Sequence, residues 1–461
     1  MSPRLLFPLL LAALTACAVP ASHEVPLVSI PDSWRDAPAS TAATDVDFYT
    51  WWKALGDDSL NRLVERALSD NMTLEIAQHR LNQARALTNL ASNKFLPTLS
   101  FGVETAKDAS ARNSYLQVGF STAWALAWPV ERVGVAQQAM GEAEAAAAQW
   151  QATRVALVSE VARTYGQLRH LQQERALTQR ALEIEKTRQR LLNARHALGL
   201  ETSQHVTQNQ ARAAQQQSRL SDLDYAVLDT EQALATLVGQ ATIDPQLTAL
   251  QAQPEVPAFA LNRLPASLLN ARPQVALARA ELFKAAGDLG VSRAELYPRV
   301  ALVGSWIYSR NISQNSRKSN SYLLPSVGPI IDIPLFDWGI RVARRDAQKH
   351  ALAAATTAYR QAVLEGYAQT QMALNAFNAA GDRQTVAATA VHASEQVSRV
   401  DAALVQSGVR TQDQGLDSQL ALLEAQRSVM AAKAQRLAAF AALFMNLGGA
   451  SALTLPDQGG A

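Results

Sequence analysis

Val135-Ala-Gln-Gln-Ala-Met-Gly-Glu-Ala-Glu-Ala-Ala-Ala-Ala-Gln-Trp150 opens a run that contains no proline before it ends at Leu198. Ala, Gln, Glu, Arg and Leu dominate it, all good helix formers. At 1.5 Å per residue the run predicts a helix of about 96 Å. Gly199-Leu200 interrupts the pattern, which resumes with Leu220, Leu223, Val227, Leu234 and Leu237, a heptad seam broken only by Thr230. The reading is a helical hairpin turning at Gly199. Its return arm runs to Val238, is interrupted by the proline-containing segment 239–265, and continues through 271–296, so that its two pieces together match the outbound arm in length.

The same plan recurs downstream. Pro129-Val-Glu-Arg-Val-Gly134 answers to Pro334-Leu-Phe-Asp-Trp-Gly339, Leu96-Pro97 to Tyr297-Pro298, and the stretch from Gly199 to Gln210 to the stretch from Gly415 to Gln426. The three separations are nearly equal and indicate a duplicated unit of about 200 residues. They place the second hairpin's turn at Gly415, after a proline-free run from Ile340 to Gln414, with a return helix to Leu447. A first helix over Leu60–Phe95 supplies the remaining arm.

Between the helical pieces, each half alternates with period two. Leu116, Val118, Phe120, Trp124 and Leu126 share one face, and Gln117, Gly119, Ser121 and Ala123 the other; Leu99, Phe101 and Val103 alternate upstream. The second half repeats this with Val300, Leu302, Trp306 and Tyr308, then Leu323, Val327, Ile331 and Ile333. An apolar outside, a small and polar inside and aromatics near the strand ends are the marks of a transmembrane barrel. A soluble sheet packed on a helix is the alternative, to which Pro325 and Pro329 within one strand lend weight. Four strands are too few to close a barrel; three chains would supply twelve, with cyclic closure.

With 21 Gly and 18 Pro in 461 residues, breakers are sparse. Lys and Arg number 42 against 40 Asp and Glu, a formal +2 that gives no case for a nucleic-acid face. One cysteine excludes an intramolecular disulfide and a cysteine-cluster metal site, and the seven histidines include no helical ligand pair. Phosphate-binding, dinucleotide and nucleophile-elbow motifs are absent, so the chain does not read as an enzyme. Arg4, the apolar run Leu5–Leu14 and Thr15-Ala16-Cys17 read as an export signal, too short to span a bilayer.

Leu14-Thr15-Ala16-Cys17 resembles the bacterial lipobox, against the plainer alternative of an ordinary signal peptide with an incidental cysteine. The whole chain, from Phe48 to Gly449, resembles the TolC-type outer-membrane efflux proteins, in the lipoprotein (NodT-like) branch that serves RND pumps. The resemblance rests on Asn270-Ala-Arg-Pro-Gln274 leading to Ala294-Glu-Leu-Tyr-Pro298, on Pro334-Leu-Phe-Asp-Trp-Gly339 and on Leu423-Glu-Ala-Gln-Arg427. Gln274 stands where the family usually has Asp, and Trp124-Ala-Leu-Ala-Trp-Pro departs from the family's first strand-to-helix corner.

The resemblance implies a mainly α fold with a small β part. Its long hairpins form a periplasmic α-barrel, and its four strands contribute to a trimeric 12-stranded outer-membrane β-barrel. The implied plan is a lipoprotein signal peptide (1–16), a lipidated tether (17–48), a first helix and equatorial segment (49–95), a β-hairpin (96–128) and a long helical hairpin (129–238). An equatorial linker (239–265), a return helix (266–296), a second β-hairpin (297–333), a second helical hairpin (334–447) and a tail (448–461) complete it.

The implied function is a passive exit duct for drugs or other small lipophilic compounds, in the outer membrane of a Gram-negative bacterium. Its partners would be two further copies of itself, a periplasmic adaptor, an inner-membrane RND-type pump and outer-membrane lipids, with no nucleic acid, no metal and no cofactor beyond the diacylglycerol and acyl chain on Cys17. A duct for protein or peptide secretion and a non-conducting envelope lipoprotein are the alternatives. Counting from Gly415, the family's constriction falls on Leu420 and Glu424; a three-fold carboxylate ring favours cations. For these two residues, ordinary heptad packing and a solvated helix-face charge are the competing readings. Gly199, Leu200, Gly415, Leu416 and Asp417 are the expected tip contacts to the adaptor, and Thr202 and Ser418 are expected to cap the return helices.

Overall fold

The computed structural model describes residues 26–35, 46–106, 114–259, 261, 265–312 and 321–448. Cys17, the signal and most of the tether, and all of the tail but Gly448, lie outside the described residues. Eight α-helices are present among them: α1 (Asp58–Asp70), α2 (Met72–Leu90), α3 (Pro129–Ala197), α4 (Ser203–Leu237), α5 (Pro265–Asn270), α6 (Pro273–Ala294), α7 (Ile340–Gln406) and α8 (Gln412–Asn446). The strands are β1 (Thr98–Ala106), β2 (Tyr115–Leu126), β3 (Arg299–Asn311) and β4 (Ser321–Asp332). None of the described helices is long and apolar enough to cross a membrane.

The helix expected over Leu60–Phe95 is divided. Asn71 has extended backbone (ψ 118°), and its side chain accepts from Leu74 N at 3.0 Å while donating to Leu237 O at 3.0 Å. One residue thus begins α2 and ties that start to the end of α4, a use of Asn that competes with helix continuation.

The chain divides into two compact units. The first contains residues 80–147 and 276–362, and its sheet has the order β1-β2-β3-β4, every pair antiparallel. The two hairpins read from the sequence are therefore one sheet, joined by β2 against β3. The register aligns Phe101, Phe120, Trp306 and Pro325 in one row and Leu99, Thr122, Gly304 and Val327 in another, so the apolar faces of all four strands are continuous. The opposite face carries the row Ser100, Ser121, Ser305 and Ser326, with hydroxyls 2.8 Å apart within each hairpin. Gly119 is required where β2 meets β3, because a Cβ there would lie 2.2 Å from Trp306 O.

In the same unit α3 and α6 approach closely over small residues. A Cβ on Gly134 would meet Gly287 O at 2.9 Å, and one on Gly141 would meet Ala280 O at 2.8 Å. Their spacing of one heptad keeps both glycines on one helix face. Leu282, Ala286 and Leu289 of α6 then bury against Leu352 of α7.

The second unit contains residues 29–79, 148–275 and 363–461. Its centre is aromatic: Phe440 and Phe444 of α8 lie 4.7 Å apart, Trp51 stacks on Phe444 at 5.4 Å, and Phe259 and Phe377 close the cluster. Arg169 of α3, wholly buried, donates to Leu247 O, Ala249 O, Gln251 Oε1 and Gln172 Oε1 at 2.7–3.0 Å. It holds the segment from Leu247 to Gln251, at the end of a short 3-10 turn, by satisfying the carbonyls of Leu247 and Ala249.

Candidate gate at the helical hairpin turns

The turn between α3 and α4 is built on Gly199, whose φ of +73° is costly for any residue with a Cβ. Gly199 N donates to His196 O and Leu200 N to Arg195 O, satisfying carbonyls at the end of α3. Thr202 then caps α4 by accepting from His205 N. The Glu201 carboxyl beside it sits below its ordinary range, held there first by the Thr202 backbone N–H and then by His205 and Arg195.

The turn between α7 and α8 repeats this construction residue for residue, but at Gly408. Its φ is +76°, Gly408 N donates to Val405 O, and Val409 N donates to Leu404 O. Thr411 caps α8 in a reciprocal box with Gln414. Gly199 and Thr202 therefore correspond to Gly408 and Thr411.

This corrects the tip assigned from sequence. Gly415 lies inside α8, buried, and a Cβ there would lie 3.0 Å from Val405 Cγ2. Leu416 is buried as well. The match of Gly199 to Gly415 was displaced by one heptad, which returns a helix to nearly the same face and preserves its apolar pattern. Gly-x-x-Thr, present at both Gly199 and Gly408, was the signal that separates the registers. Ser418 does not cap; its hydroxyl donates to Gly415 O at 3.0 Å inside the helix.

Asp417 is drawn back toward the helix pair. Arg188 of α3, 4% exposed, bonds the Asp417 carboxylate, lies 3.0 Å from Asp413 Oδ1 as an ion pair, and has Glu185 at 3.8 Å. Burial pushes the Glu185 carboxyl up, opposed by Arg188 and Arg212. One guanidinium thus links α3 of the first hairpin to the first turns of α8 of the second. Further along α8, Arg427 donates to Thr178 Oγ1 of α3 at 3.1 Å and Glu424 Oε2 at 3.0 Å, and reaches Gln216 Oε1 of α4 at 3.5 Å. Glu424 itself remains 65% exposed, while Leu420, one helical turn earlier, packs partly against the cluster of Leu177, Ala181 and Leu423. Leu198, Leu200 and Val409 are exposed at the turns.

Sequence reasoning missed Gly408, Thr411, Arg188 and Arg427. Arg427 stood out only as part of a motif and Arg188 not at all, and each has partners on another helix as well as on its own. No group of His, Cys, Asp and Glu able to hold a metal occurs among the described residues.

Two long hairpins with duplicated turns, in one chain with a four-stranded sheet whose apolar face is unbroken, place the protein among known ones. A family profile described as outer membrane efflux protein matches residues 63–240 and 264–449. The chain belongs to the outer membrane efflux protein family, of TolC type. It is 26% identical over 444 residues to the pyoverdine export outer membrane protein OpmQ of Pseudomonas aeruginosa, covering 92% of this chain and 91% of that protein. It is 27% identical over 432 residues to nodulation protein T of Rhizobium leguminosarum bv. viciae, covering 92% and 88%. The solved outer-membrane channel OprN superposes with a TM-score of 0.79 at 26% identity, covering 94% of this chain and 99% of that one. The geometry at the turns is that of helix ends held together.

Proposed function

We propose that three copies of this chain form the exit duct of a tripartite efflux system, passing drugs or other small lipophilic compounds delivered by an inner-membrane RND-type pump, without catalysis. The carrying observation is the four-stranded sheet, which gathers the mainly apolar faces of all four strands on one side and, among the described residues, has no partner at either outer edge, in a chain of an efflux family. A sheet of this kind is soluble only when its face and edges are covered, and a bilayer with two further copies covers both. A diacylglycerol and acyl chain on Cys17 would anchor it in the outer membrane. The turns at Gly199 and Leu200, with their counterparts Gly408 and Val409, would meet a periplasmic adaptor, and adaptor binding would favour splayed helix ends.

The test follows intracellular accumulation of a dye and an antibiotic panel in a deletion strain, and in the same strain complemented with wild type or Cys17→Ala. Accumulation should rise on deletion and be corrected by the wild type. Unchanged accumulation with pump and adaptor expressed would sink the drug-duct reading in favour of secreted polypeptides, or, if the protein also fails to conduct in bilayers, of a structural lipoprotein.

With the turn at Gly408, the support for Leu420 and Glu424 is their place in and beside the Leu423-Glu-Ala-Gln-Arg427 stretch rather than a count from the tip; there they would line the constriction as three-fold rings. Glu424→Gln should then lower the cation-to-anion permeability ratio toward one, read as a smaller reversal potential across a planar bilayer in a salt gradient, because a carboxylate ring at a narrow point concentrates cations. An unaltered reversal potential would return Glu424 to the role of a solvated partner for Arg427.

A further inference from the structure

Among the described residues β1 and β4 are each paired on one side only. In an antiparallel ladder every residue turns its N–H and C=O to the same side, and successive residues alternate. Ile312 N donates to Ser114 O at 2.7 Å, one residue beyond the last β2–β3 pair, so even-numbered residues of β3 turn toward β2. Leu302 and Trp306 do likewise, and their β4 partners Pro329 and Pro325 therefore turn away from β3, to the open edge. Proline has no N–H, and this is the side where it leaves the chain's own ladder intact. The same parity carried across β2 turns Leu99, Phe101, Val103 and Thr105 of β1 to the opposite open edge.

The strand ends fix the level at which these edges can meet. The row perpendicular to the strands through Thr98, where β1 begins, contains Ala123, Val303 and Gly328. On the helix side of that row β2 ends three residues lower at Leu126, β3 begins four lower at Arg299, and β4 ends four lower at Asp332. The margin of the sheet descends four residues from β1 to β4. A closed ring of identical copies repeats this margin in every register, and the register in which it runs from β4 into β1 without a step sets Thr98 of the next copy beside Asp332. A stagger of four residues over four strands, at about 3.4 Å per residue and about 4.8 Å between strands, tilts the strands by about 35°, the inclination of closed barrels. Zero stagger gives no tilt, and the opposite stagger doubles the step in the margin.

The duplication reaches the same register independently. Within the chain the exit of β2 meets the start of β3: Trp128 Nε1 donates to Pro298 O at 2.7 Å, and its ring lies 5.8 Å from Tyr297. Ile333-Pro334 is the repeat of Trp128-Pro129, and Leu96-Pro97 is the repeat of Tyr297-Pro298. Ile333 and Leu96 are both exposed, at 56% and 57%. Transferring the contact puts Ile333 opposite Pro97 of the next copy, the same four-residue stagger.

We propose that β4 of one copy pairs antiparallel with β1 of the next in the register that sets Gly328 opposite Gly102, a statement that rests on the trimeric reading above. Ile331, Pro329, Val327 and Pro325 then face Leu99, Phe101, Val103 and Thr105 of the next copy, which keeps the apolar face continuous across the seam. Pro325 and Pro329 accept there but cannot donate, so each seam lacks two ladder bonds that residues with an N–H would make. Gly328 and Gly102 form a pair without mutual hydrogen bonds, and a Cβ at either meets nothing within 4 Å in the chain itself.

The test is a disulfide across the seam in membranes, read on non-reducing gels. Gly102→Cys with Gly328→Cys brings Cα atoms to about 4.5 Å, within disulfide range. Gly102→Cys with Leu324→Cys tests the unstaggered register, in which the first pair would be about 14 Å apart. Covalent dimers and trimers are expected for the first pair and not for the second, with each single variant as a control for the native Cys17. Ser100→Cys with Ile330→Cys probes the same register if the glycine pair does not reach the membrane. Cross-linking through Leu324, or through neither site while light scattering of the wild type gives three chains, overturns the register and leaves the trimer; a single-chain mass overturns the trimeric reading itself. Independently, Pro329→Val should raise the temperature at which trimers dissociate in SDS, and an unchanged or lower temperature counts against Pro329 facing the seam.

Discussion

Arg272→Leu is expected to destabilise the folded chain by about 3 kcal/mol, and Arg272→Lys by roughly half as much. Arg272, in the Asn270-Ala-Arg-Pro-Gln274 segment, is 2% exposed and begins the turn into α6. Its guanidinium donates to Gly366 O and Thr370 Oγ1 of α7, to Gln369 Oε1 at 2.7 Å, and to Asn446 Oδ1 at the end of α8 at 3.4 Å. No carboxylate is among these partners, and burial brings its pKa down to about 10. The charge is therefore tolerated because oxygens of two other helices solvate it. Leucine removes the donors and leaves the buried Gly366 O and Thr370 Oγ1 without the guanidinium, whereas lysine keeps a point charge that cannot reach all four oxygens in the geometry of a planar fork. Urea unfolding in detergent, followed by tryptophan fluorescence, would show the midpoint fall in the order wild type, lysine, leucine. Equal midpoints for wild type and leucine would mean that the segment is held by packing alone. Gln274 is exposed and outside this cluster, so the departure from the family's usual Asp leaves the arginine's role untouched.

The parts of the fold that were legible are those written in local pattern. Proline-free runs locate α3 and α7 because proline removes a helix bond and clashes with the preceding turn. Alternation locates all four strands because the pleat has period two. What failed depends on distant partners or on register. The pairing of β2 with β3 joins strands from the two halves of the chain, and nothing in either strand names the other. The second turn was misplaced from Gly408 to Gly415 because heptad matching cannot distinguish positions one heptad apart, whereas the left-handed turn residue and its cap can. Arg169, Arg188, Arg272 and Arg427 look alike in sequence, and each is defined by oxygens on another element. Leu420 and Glu424 were picked out by the family resemblance, counted from Gly415, and both prove to lie on α8; the cluster that holds their helix against α3 was invisible in the sequence.

Arg188→Leu should loosen the helical ends and raise single-channel conductance several-fold, with cells becoming sensitive to large hydrophilic antibiotics that the intact outer membrane excludes. Arg188 is the cation between Glu185 on its own helix and Asp413 and Asp417 on α8. Removing one member of a buried charge cluster costs about 3–5 kcal/mol, chiefly because the remaining charge is stranded. Here the stranded group is Glu185, whose carboxyl burial already pushes upward. The sign of the pH effect follows: a carboxyl with a raised folded-state pKa favours the folded arrangement when protonated and loses that contribution as pH rises through the folded value. The variant should therefore be more open at pH 8 than at pH 5, because protonation relieves the buried charge. Arg188→Leu combined with Glu185→Leu separates latch from fold: it removes the stranded carboxylate and restores stability, yet leaves Asp413 and Asp417 without the cation that reached them from α3. Its conductance should stay high at both pH values. A double variant with wild-type conductance would mean that Arg188 only neutralises Glu185, and that α3 and α8 are held together by the apolar contacts of Leu177, Ala181 and Leu423 further from the turns.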